Sequence, residues 1–341
     1  MTIFLNDHFV NMAEDIAIEC FKNGADVLLN LYTDRYYLGY MTYLSFESLR
    51  QPSVWCRELT RNATAQFWLG GTYDPAVYRK VSADRMAANN EGENNAHFPL
   101  AKERKVRSLG VGLGMVTKPR GKAYGFNFNT WLRMTETASR VDPEMLAKKG
   151  RELAARLQAA DKIRITSKNG TGLQLSAKER TPMINDGVVD DQDIMQDNLN
   201  ASIPAGSVDV AVLEDSANGK VVLDVPTPWA GRTIRRIIWT FSGGKLTSFE
   251  GDKVAELLRK EWEASSGDKD RIATVSVGLN PKAKPGFLIN NIVEGAIGIG
   301  IGGNEDLGGK NKPGFFHAAT LKMGTLEADG TVVVEQGNLR I

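Results

Sequence analysis

The chain has 341 residues, and 42 lysines and arginines against 41 aspartates and glutamates give it a formal net charge of +1. Hydrophobic residues make up 42% and charged residues 24%, which excludes a disordered, collagen-like or coiled-coil chain. The balanced charge argues against a nucleic-acid-binding protein, which would carry an excess of basic residues. At roughly 100–200 residues per domain, this length predicts two domains.

The scarce residue types limit the chemistry. Cys20 and Cys56 are the only cysteines, and their spacing fits neither a disulfide framework nor a cysteine zinc site. The only histidines are His8, His97 and His317, so a site with two imidazoles would need distant parts of the chain. The N-terminus lacks the pattern of a signal peptide, and no stretch reaches the roughly 20 apolar residues that cross a bilayer. We therefore expect a cytoplasmic protein without membrane spans.

The first part of the chain alternates helix and strand patterns. An amphipathic helix after residue 10 leads into the strand VLLNLY, and two further strands are predicted at 64–71 and 106–115. The helix at 144–161 is marked by Asp142 as N-cap and Pro143 at its first position. This alternation predicts an N-terminal α/β domain with a parallel sheet over residues 1–160.

Three alternate glycines end the strand predicted at 106–115. Gly110, Gly112 and Gly114 form a G-x-G-x-G run, which suggests a loop that holds phosphate. Such a motif should follow a strand and open a helix, but here a basic loop with a proline follows. We interpret the run as a glycine-rich strand end.

The second part is rich in strands with period-two alternation. A hairpin is predicted at 162–178 around the Asn169–Gly170 turn, and another at 233–251 around Gly243–Gly244. In GAIGIGIGGN (295–304), glycine at every second position leaves one face bare, so another backbone or a planar ligand packs there. These patterns predict a β-rich, mainly antiparallel C-terminal domain over residues 161–341, with a cleft between the domains.

The second part also resembles the C-terminal domain of the aminopeptidase T family of metallo-aminopeptidases. It is similar as well to 2,5-dihydroxypyridine dioxygenase, an iron enzyme on the same scaffold. The matching segments are IPAGSVDVAVLEDSANGKVVLDV, RRIIWTFSGGKLTSFEGD, VSVGLNPKA, GAIGIGIGGNEDLGGKNK and FFHAATL, together with the helix and hairpin at 142–187. The resemblance implies an aminopeptidase T-like fold and a homodimer.

The resemblance also allows the metal positions of these families to be compared with this sequence. One such position holds a histidine, His317, whereas the others hold residues that do not bind transition metals: Ser207, Thr274, Gly298 and Ala319. A zinc, cobalt or iron site needs three or more protein ligands. We therefore expect neither a tightly held transition metal nor another cofactor. The acidic cluster at 188–198 does not match an EF-hand loop, and we interpret it as a solvated loop.

Metal-free acid/base chemistry could then occupy the cleft. We predict His317 as acid or base, with Ser207 and Thr274 as further catalytic residues. The residues predicted to bind the substrate are Ser276, Asn304, Lys310, Lys312 and Gly298. Alternatively, His317 is a structural histidine.

Taken together, these features predict a metal-independent enzyme of small-molecule catabolism. Its step would be hydrolytic or lytic, on a polar ring or amide-type substrate. A first alternative is a metal-dependent aminopeptidase or ring-cleaving dioxygenase whose metal site has moved. A second alternative is a non-catalytic protein that binds a small molecule. Metal content separates the first alternative from the prediction, and turnover separates the second.

Overall fold

The computed structural model describes residues 1–51 and 53–341, without the side chains of 94–98, among which His97 falls. The predicted α/β class is confirmed: a parallel sheet is built mainly from the first part of the chain, and antiparallel sheets from the second. Among the described residues, no helix combines the length and the apolar character needed to cross a bilayer.

The parallel sheet, here called sheet A, has the strand order β2-β1-β3-β4-β8. Every neighbouring pair in it runs parallel. Its strands are β1 (Thr2–Asn6), β2 (Leu28–Tyr32), β3 (Ala65–Leu69), β4 (Arg107–Val111) and β8 (Asn200–Ile203). Because β8 returns to this sheet late in the chain, a boundary at residue 160 leaves one strand of the N-terminal sheet in the second half of the sequence.

Helices connect and cover the sheets. Many start at a side chain that accepts a backbone N–H, as Asp142 does from Glu144 at the predicted start of the long helix. The helices are α1 (Val10–Lys22), α2 (Asp34–Tyr43), α3 (Phe46–Leu49), α4 (Val54–Asn62), α5 (Ala83–Glu103), α6 (Lys118–Tyr124), α7 (Phe128–Ser139), α8 (Pro143–Ala159), α9 (Asp191–Met195) and α10 (Ala255–Ala264). Short 3-10 helices lie at Asp7–Phe9, Pro75–Lys80, Gly112–Met115 and Glu305–Leu307.

Sheet B is antiparallel, in the order β14-β13-β10-β6-β5-β18-β19-β20. Both predicted hairpins lie in it, and their turns use positive φ at Gly170, Gly243 and Gly244. Its strands are β5 (Ile163–Ser167), β6 (Thr171–Leu175), β10 (Asn218–Leu223), β13 (Ile237–Ser242), β14 (Lys245–Gly251), β18 (Thr325–Ala328), β19 (Thr331–Glu335) and β20 (Asn338–Leu339). A small hairpin pairs β11 (Thr227–Trp229) with β12 (Arg232–Ile234).

Sheet C is also antiparallel, in the order β17-β16-β15-β9-β7, and it positions the candidate site. Its strands are β7 (Met183–Asn185), β9 (Ser207–Ala211), β15 (Ile272–Gly278), β16 (Ile297–Gly302) and β17 (Phe316–Leu321). Successive side chains on a strand point to opposite faces. The core face shares the main hydrophobic core with sheet B and carries Val208, Val210, Val275, Val277, Ile297, Ile299, Ile301, His317 and Ala319. The other face, here called the cleft face, carries Ser207, Asp209, Thr274, Ser276, Gly298, Gly300, Phe316 and Ala318.

Candidate functional site

The cleft face of sheet C brings together several residues predicted from the sequence. In the strand register, Ser276 lies between Asp209 and Gly298, and Thr274 lies opposite Gly300. Ser207 is two residues before Asp209 on the same strand and therefore points to the same side. Ser207, Thr274, Ser276 and Gly298 thus share one face, and the catalytic roles of the first two remain predictions.

A short hydrogen bond links Ser207 to Asp209 on this face. The Ser207 hydroxyl donates to Oδ2 of Asp209 at 2.6 Å. Burial raises the pKa of Asp209 to about 6, the bond from Ser207 acts in the opposite direction, and the negative charge of Asp306 adds to the rise. Sequence reasoning missed Asp209, although the alternation in SVDVA places it beside Ser207. The carboxyl group changes its ionisation close to neutral pH, as a general acid or base requires.

The glycines of β16 are covered by side chains of the neighbouring strand β15. A Cβ atom at Gly298 would overlap the Ser276 hydroxyl oxygen, and one at Gly300 would overlap the Thr274 hydroxyl oxygen. Gly298 was predicted from the sequence to bind the substrate, but the side chain of Ser276 fills the space above it. Neither hydroxyl has a hydrogen-bond partner among the residues that the structure describes, so both can bond to a ligand.

His317 lies on the opposite face of the sheet from the predicted cleft. It pairs with Ile301, and its ring meets the Trp239 ring edge-on at a centroid distance of 6.3 Å. Its Nε2 atom is buried without a partner in the described chain, and burial lowers the pKa of the ring to about 4. The prediction that His317 acts in the cleft is therefore wrong about its position. Because side chains alternate along a strand, Phe316 and Ala318 lie on the cleft face instead.

The side-chain amide of Asn304 holds the loop between β16 and β17 in place through hydrogen bonds. The Asn304 side chain donates to the backbone oxygen of Ala273 at 3.1 Å and accepts from the backbone N–H of Asn311 at 2.8 Å. Its amide is therefore used inside the protein rather than for a substrate. Lys310 and Lys312 are exposed and do not border the cavity next to this loop. Asn304 itself lines this cavity, so its predicted role in substrate binding remains a prediction, whereas the two lysines lie away from the cavity.

A cavity of about 530 Å³ lies between sheet A and this loop. This volume is typical of small-molecule sites. Phe316 belongs to both the cavity and the cleft face, since its ring lies above Gly300. Asp306 borders the cavity and also acts on the pKa of Asp209. The lining is aromatic and polar, with Gln66, Trp68, Ser108, Asn200, Phe315 and Phe316, and its charged members are Lys102, Asp197, Glu305 and Asp306.

The donors on the cleft face do not fit a transition-metal site. One carboxylate, Asp209, stands among hydroxyls, glycine and Phe316, whereas zinc or iron sites use three or more histidine, cysteine or carboxylate ligands. Ala319, which the resemblance aligns with a ligand position, lies on the core face with His317. Across the described residues, no group of three or more such side chains is close enough to hold a metal ion.

The acidic cluster at 188–198 has a structural explanation. Asp190 caps α9, and the side chains of Asp190 and Asp193 accept each other's backbone N–H. Asp197 forms an ion pair with Lys105. These carboxylates are thus engaged in a helix cap and in a surface contact, which fits the solvated loop expected from the sequence.

The family and the fold of the chain match those of known proteins. The family model of NicX, 2,5-dihydroxypyridine 5,6-dioxygenase, matches residues 133–341. The structure of 2,5-dihydroxypyridine dioxygenase from Pseudomonas putida KT2440 is similar with a TM-score of 0.58 and 16% identity, over 99% of this chain and 91% of that one. AmpT from Thermus thermophilus is similar with a TM-score of 0.72 and 14% identity, over 100% of this chain and 94% of that one. No curated protein sequence matches the chain.

Proposed function

Because the chain belongs to the 2,5-dihydroxypyridine 5,6-dioxygenase family, we propose that it is a cytoplasmic enzyme of small-molecule catabolism that acts on a polar ring. The aminopeptidase T-like fold extends over its full length. The observation that carries the proposal is the hydrogen-bonded Ser207–Asp209 pair on the cleft face, where Phe316 also lines the cavity of about 530 Å³. We assign the acid/base role to Asp209 in place of His317.

The proposed reaction is hydrolysis of an amide bond in or on the ring. Ionised Asp209 takes a proton from water as the water oxygen bonds to the carbonyl carbon. The protonated carboxyl then returns this proton to the nitrogen as the carbon–nitrogen bond breaks. Ser207 holds the carboxylate in place through its hydrogen bond, and the hydroxyls of Thr274 and Ser276 can donate to the carbonyl oxygen as its negative charge develops.

This proposal differs from the activity for which the family is named. A metal-dependent dioxygenase needs a ligand set, and the cleft face offers one carboxylate where three or more ligands would be needed. The site therefore favours chemistry in which water is the co-reactant.

Turnover under controlled oxygen and metal conditions tests the proposal. The purified chain is incubated with hydroxypyridines and cyclic amides, with and without oxygen and chelator, and products are identified by mass spectrometry. We expect turnover that adds the mass of water, needs neither oxygen nor metal, and is lost in Asp209→Asn. Products that carry both atoms of dioxygen would overturn the proposal in favour of a dioxygenase. Ring binding without any turnover would overturn it in favour of a binding protein.

We also propose that two copies of the chain associate through the outer edge of sheet A. The edge strand β2 exposes Leu28, Leu29 and Leu31 and carries none of the charges that usually protect such an edge. A second copy brings the same unpaired edge, so antiparallel pairing about a twofold axis would continue the sheet. Light scattering should give a dimer for the wild type and a monomer for Leu29→Lys. A wild-type monomer would refute this association.

A further inference from the structure

Three segments that pack together carry a large excess of positive charge. They are 74–80, which contains a 3-10 helix, 117–125 around α6, and 227–236 around the hairpin of β11 and β12, and α6 contacts both of the others. Together they hold eight lysines and arginines but only one acidic residue, Asp74, whereas the whole chain has a net charge of +1. Positive charge is therefore concentrated in this part of the molecule.

Arg120 contributes a buried positive charge to this cluster. Its side chain is 1% exposed, and its Nε and Nη2 atoms donate to the backbone oxygen of Thr72 at 2.9 and 2.6 Å. Nη2 also donates to the Thr72 hydroxyl at 3.1 Å. These partners are neutral, and in the described part of the chain no carboxylate forms an ion pair with this guanidinium. A buried charge normally has a partner of opposite charge, so Arg120 points to an anion bound nearby.

Arg79 and Arg232 are the more exposed arginines of the cluster. The turn between β11 and β12 packs tightly on the 3-10 helix, because a Cβ atom at Gly231 would lie 2.3 Å from the backbone oxygen of Pro75 and 3.5 Å from Cγ of Arg79. Arg232 follows Gly231 and is therefore held near Arg79. Burial lowers the pKa of Arg232, and the positive charge of Arg79 lowers it further. Neither arginine forms an ion pair with any residue that the structure describes.

Tyr124 lies between the buried arginine and the exposed ones. Burial raises the pKa of this tyrosine, whereas the charges of Arg120 and Arg79 both lower it, so both guanidinium groups act on the same phenol. The backbone oxygen of Tyr124 accepts a hydrogen bond from the Thr233 hydroxyl, which joins α6 to the strand that carries Arg232. Three positive charges are thus held together by the packing of three segments. Their mutual repulsion lowers stability until an anion neutralises it.

We propose that this cluster binds a phosphate group, with Arg79 and Arg232 as hydrogen-bond donors and Arg120 as a buried positive charge. A guanidinium group pairs with a phosphate through two parallel N–H···O bonds. A phosphate carries up to two negative charges at neutral pH, so it matches three arginines better than a single carboxylate does. None of the three borders the cavity next to Phe316, so the inference is independent of the proposed function.

Titration calorimetry of the full chain with three anions tests the inference: inorganic phosphate, methyl phosphate and acetate. The titrations are done at pH 8, with potassium chloride keeping the ionic strength constant. We expect at least one phosphate to bind at least about tenfold more tightly than acetate. Tighter binding of methyl phosphate would support a phosphate ester as the ligand, and tighter binding of inorganic phosphate would support the free ion. Phosphates that bind no more tightly than acetate would overturn the proposal.

Arg79→Gln and Arg232→Gln test which residues hold the phosphate. Each should weaken phosphate binding at least about tenfold, because a hydrogen bond to a charged group is lost. Arg133→Gln is the matched control and should leave binding unchanged, since Arg133 is an exposed arginine on α7 without an ion pair to a described residue. Thermal unfolding in chloride shows that the variants fold, and there Arg232→Gln should be at least as stable as the wild type because repulsion by Arg79 is removed. Unchanged phosphate affinity in both folded variants would overturn the assignment.

Discussion

Asp209 and His317 are two partly buried ionisable residues on opposite faces of the same sheet. Asp209 faces the cleft, where Ser207 donates to its carboxylate. His317 faces the core, where its Nε2 has no partner among the described residues. Burial is the largest cause of both pKa shifts, and it favours the neutral form: it raises the pKa of the acid and lowers the pKa of the base. The face of the strand, rather than the type of residue, therefore decides which of the two groups faces the cleft and which faces the core.

The largest expected effect is on turnover. Asp209→Asn should lower the turnover number by about 10²–10⁴-fold, because the amide accepts no proton at neutral pH. His317→Leu should leave it within about twofold, since the ring does not face the cleft. Turnover of the same substrate by both variants measures the contrast, and Asp15→Asn on an exposed helix position is the control. A similar loss in both variants would contradict the assignment of the two faces.

The pH dependence of turnover should follow Asp209. Its raised pKa of about 6 means that the carboxylate needed as base is lost below that pH. Turnover should therefore rise about tenfold per pH unit below 6 and level off above it. A profile from pH 4.5 to 8 checks this, and turnover that stays nearly constant over this range, as the ordinary pKa of 3.8 would give, would contradict it.

The pH dependence of stability should have opposite signs for the two groups. Asp209 contributes stability below pH 3.8, which is lost as the pH rises through about 6. His317 contributes stability above pH 6.5, which is lost as the pH falls through about 4. Each change amounts to about 3 kcal/mol, because one pKa unit corresponds to about 1.4 kcal/mol.

In each variant, the pH dependence of the free energy of unfolding should reflect only the group that remains. Between pH 4 and 6, the free energy of unfolding should rise with pH in Asp209→Asn and fall with pH in His317→Leu, relative to the wild type. Urea unfolding at fixed pH values measures the difference. Parallel curves for the two variants would show that the environments do not differ in this way.

Crowding on the cleft face should lower the free energy of unfolding by about 1–3 kcal/mol. Gly298→Ala introduces a methyl group into space held by Ser276, so it should destabilise the protein by this amount. Adding Ser276→Gly should restore most of the loss, whereas Gly172→Ala serves as a control with open space. Urea unfolding of the single and double variants is the measurement. Additive losses would mean that another group fills this space.

The smallest effect is expected from His317→Leu at pH 8. Here the ring is neutral, so the variant removes only a buried nitrogen that has no partner in the described part of the chain. An apolar side chain of similar size should change the free energy of unfolding by at most about 1 kcal/mol, in the stabilising direction. A loss of more than about 2 kcal/mol would indicate that the nitrogen has a bonding role in the core.

The sequence determined the local structure and the family. Turn residues such as Asn169–Gly170 and the cap at Asp142 act within a few residues, so their effect can be recognised from the sequence. Alternation along one strand likewise places Ser207 and Asp209 on one side. The similarity to two enzyme families was also recognisable, because it is carried by whole segments of the second part.

The tertiary structure alone decided which side of each strand faces the cleft. His317 looked like the best acid/base candidate because it is the only histidine of the second half, but its pairing with Ile301 turns it to the core. A shift of one residue in that register would move every side chain of β17 to the other face. Register depends on hydrogen bonds between segments distant in sequence. The burial that raises the pKa of Asp209 depends on the same long-range contacts, and the pairing of β15 with β16 places the Ser276 side chain in the space above Gly298.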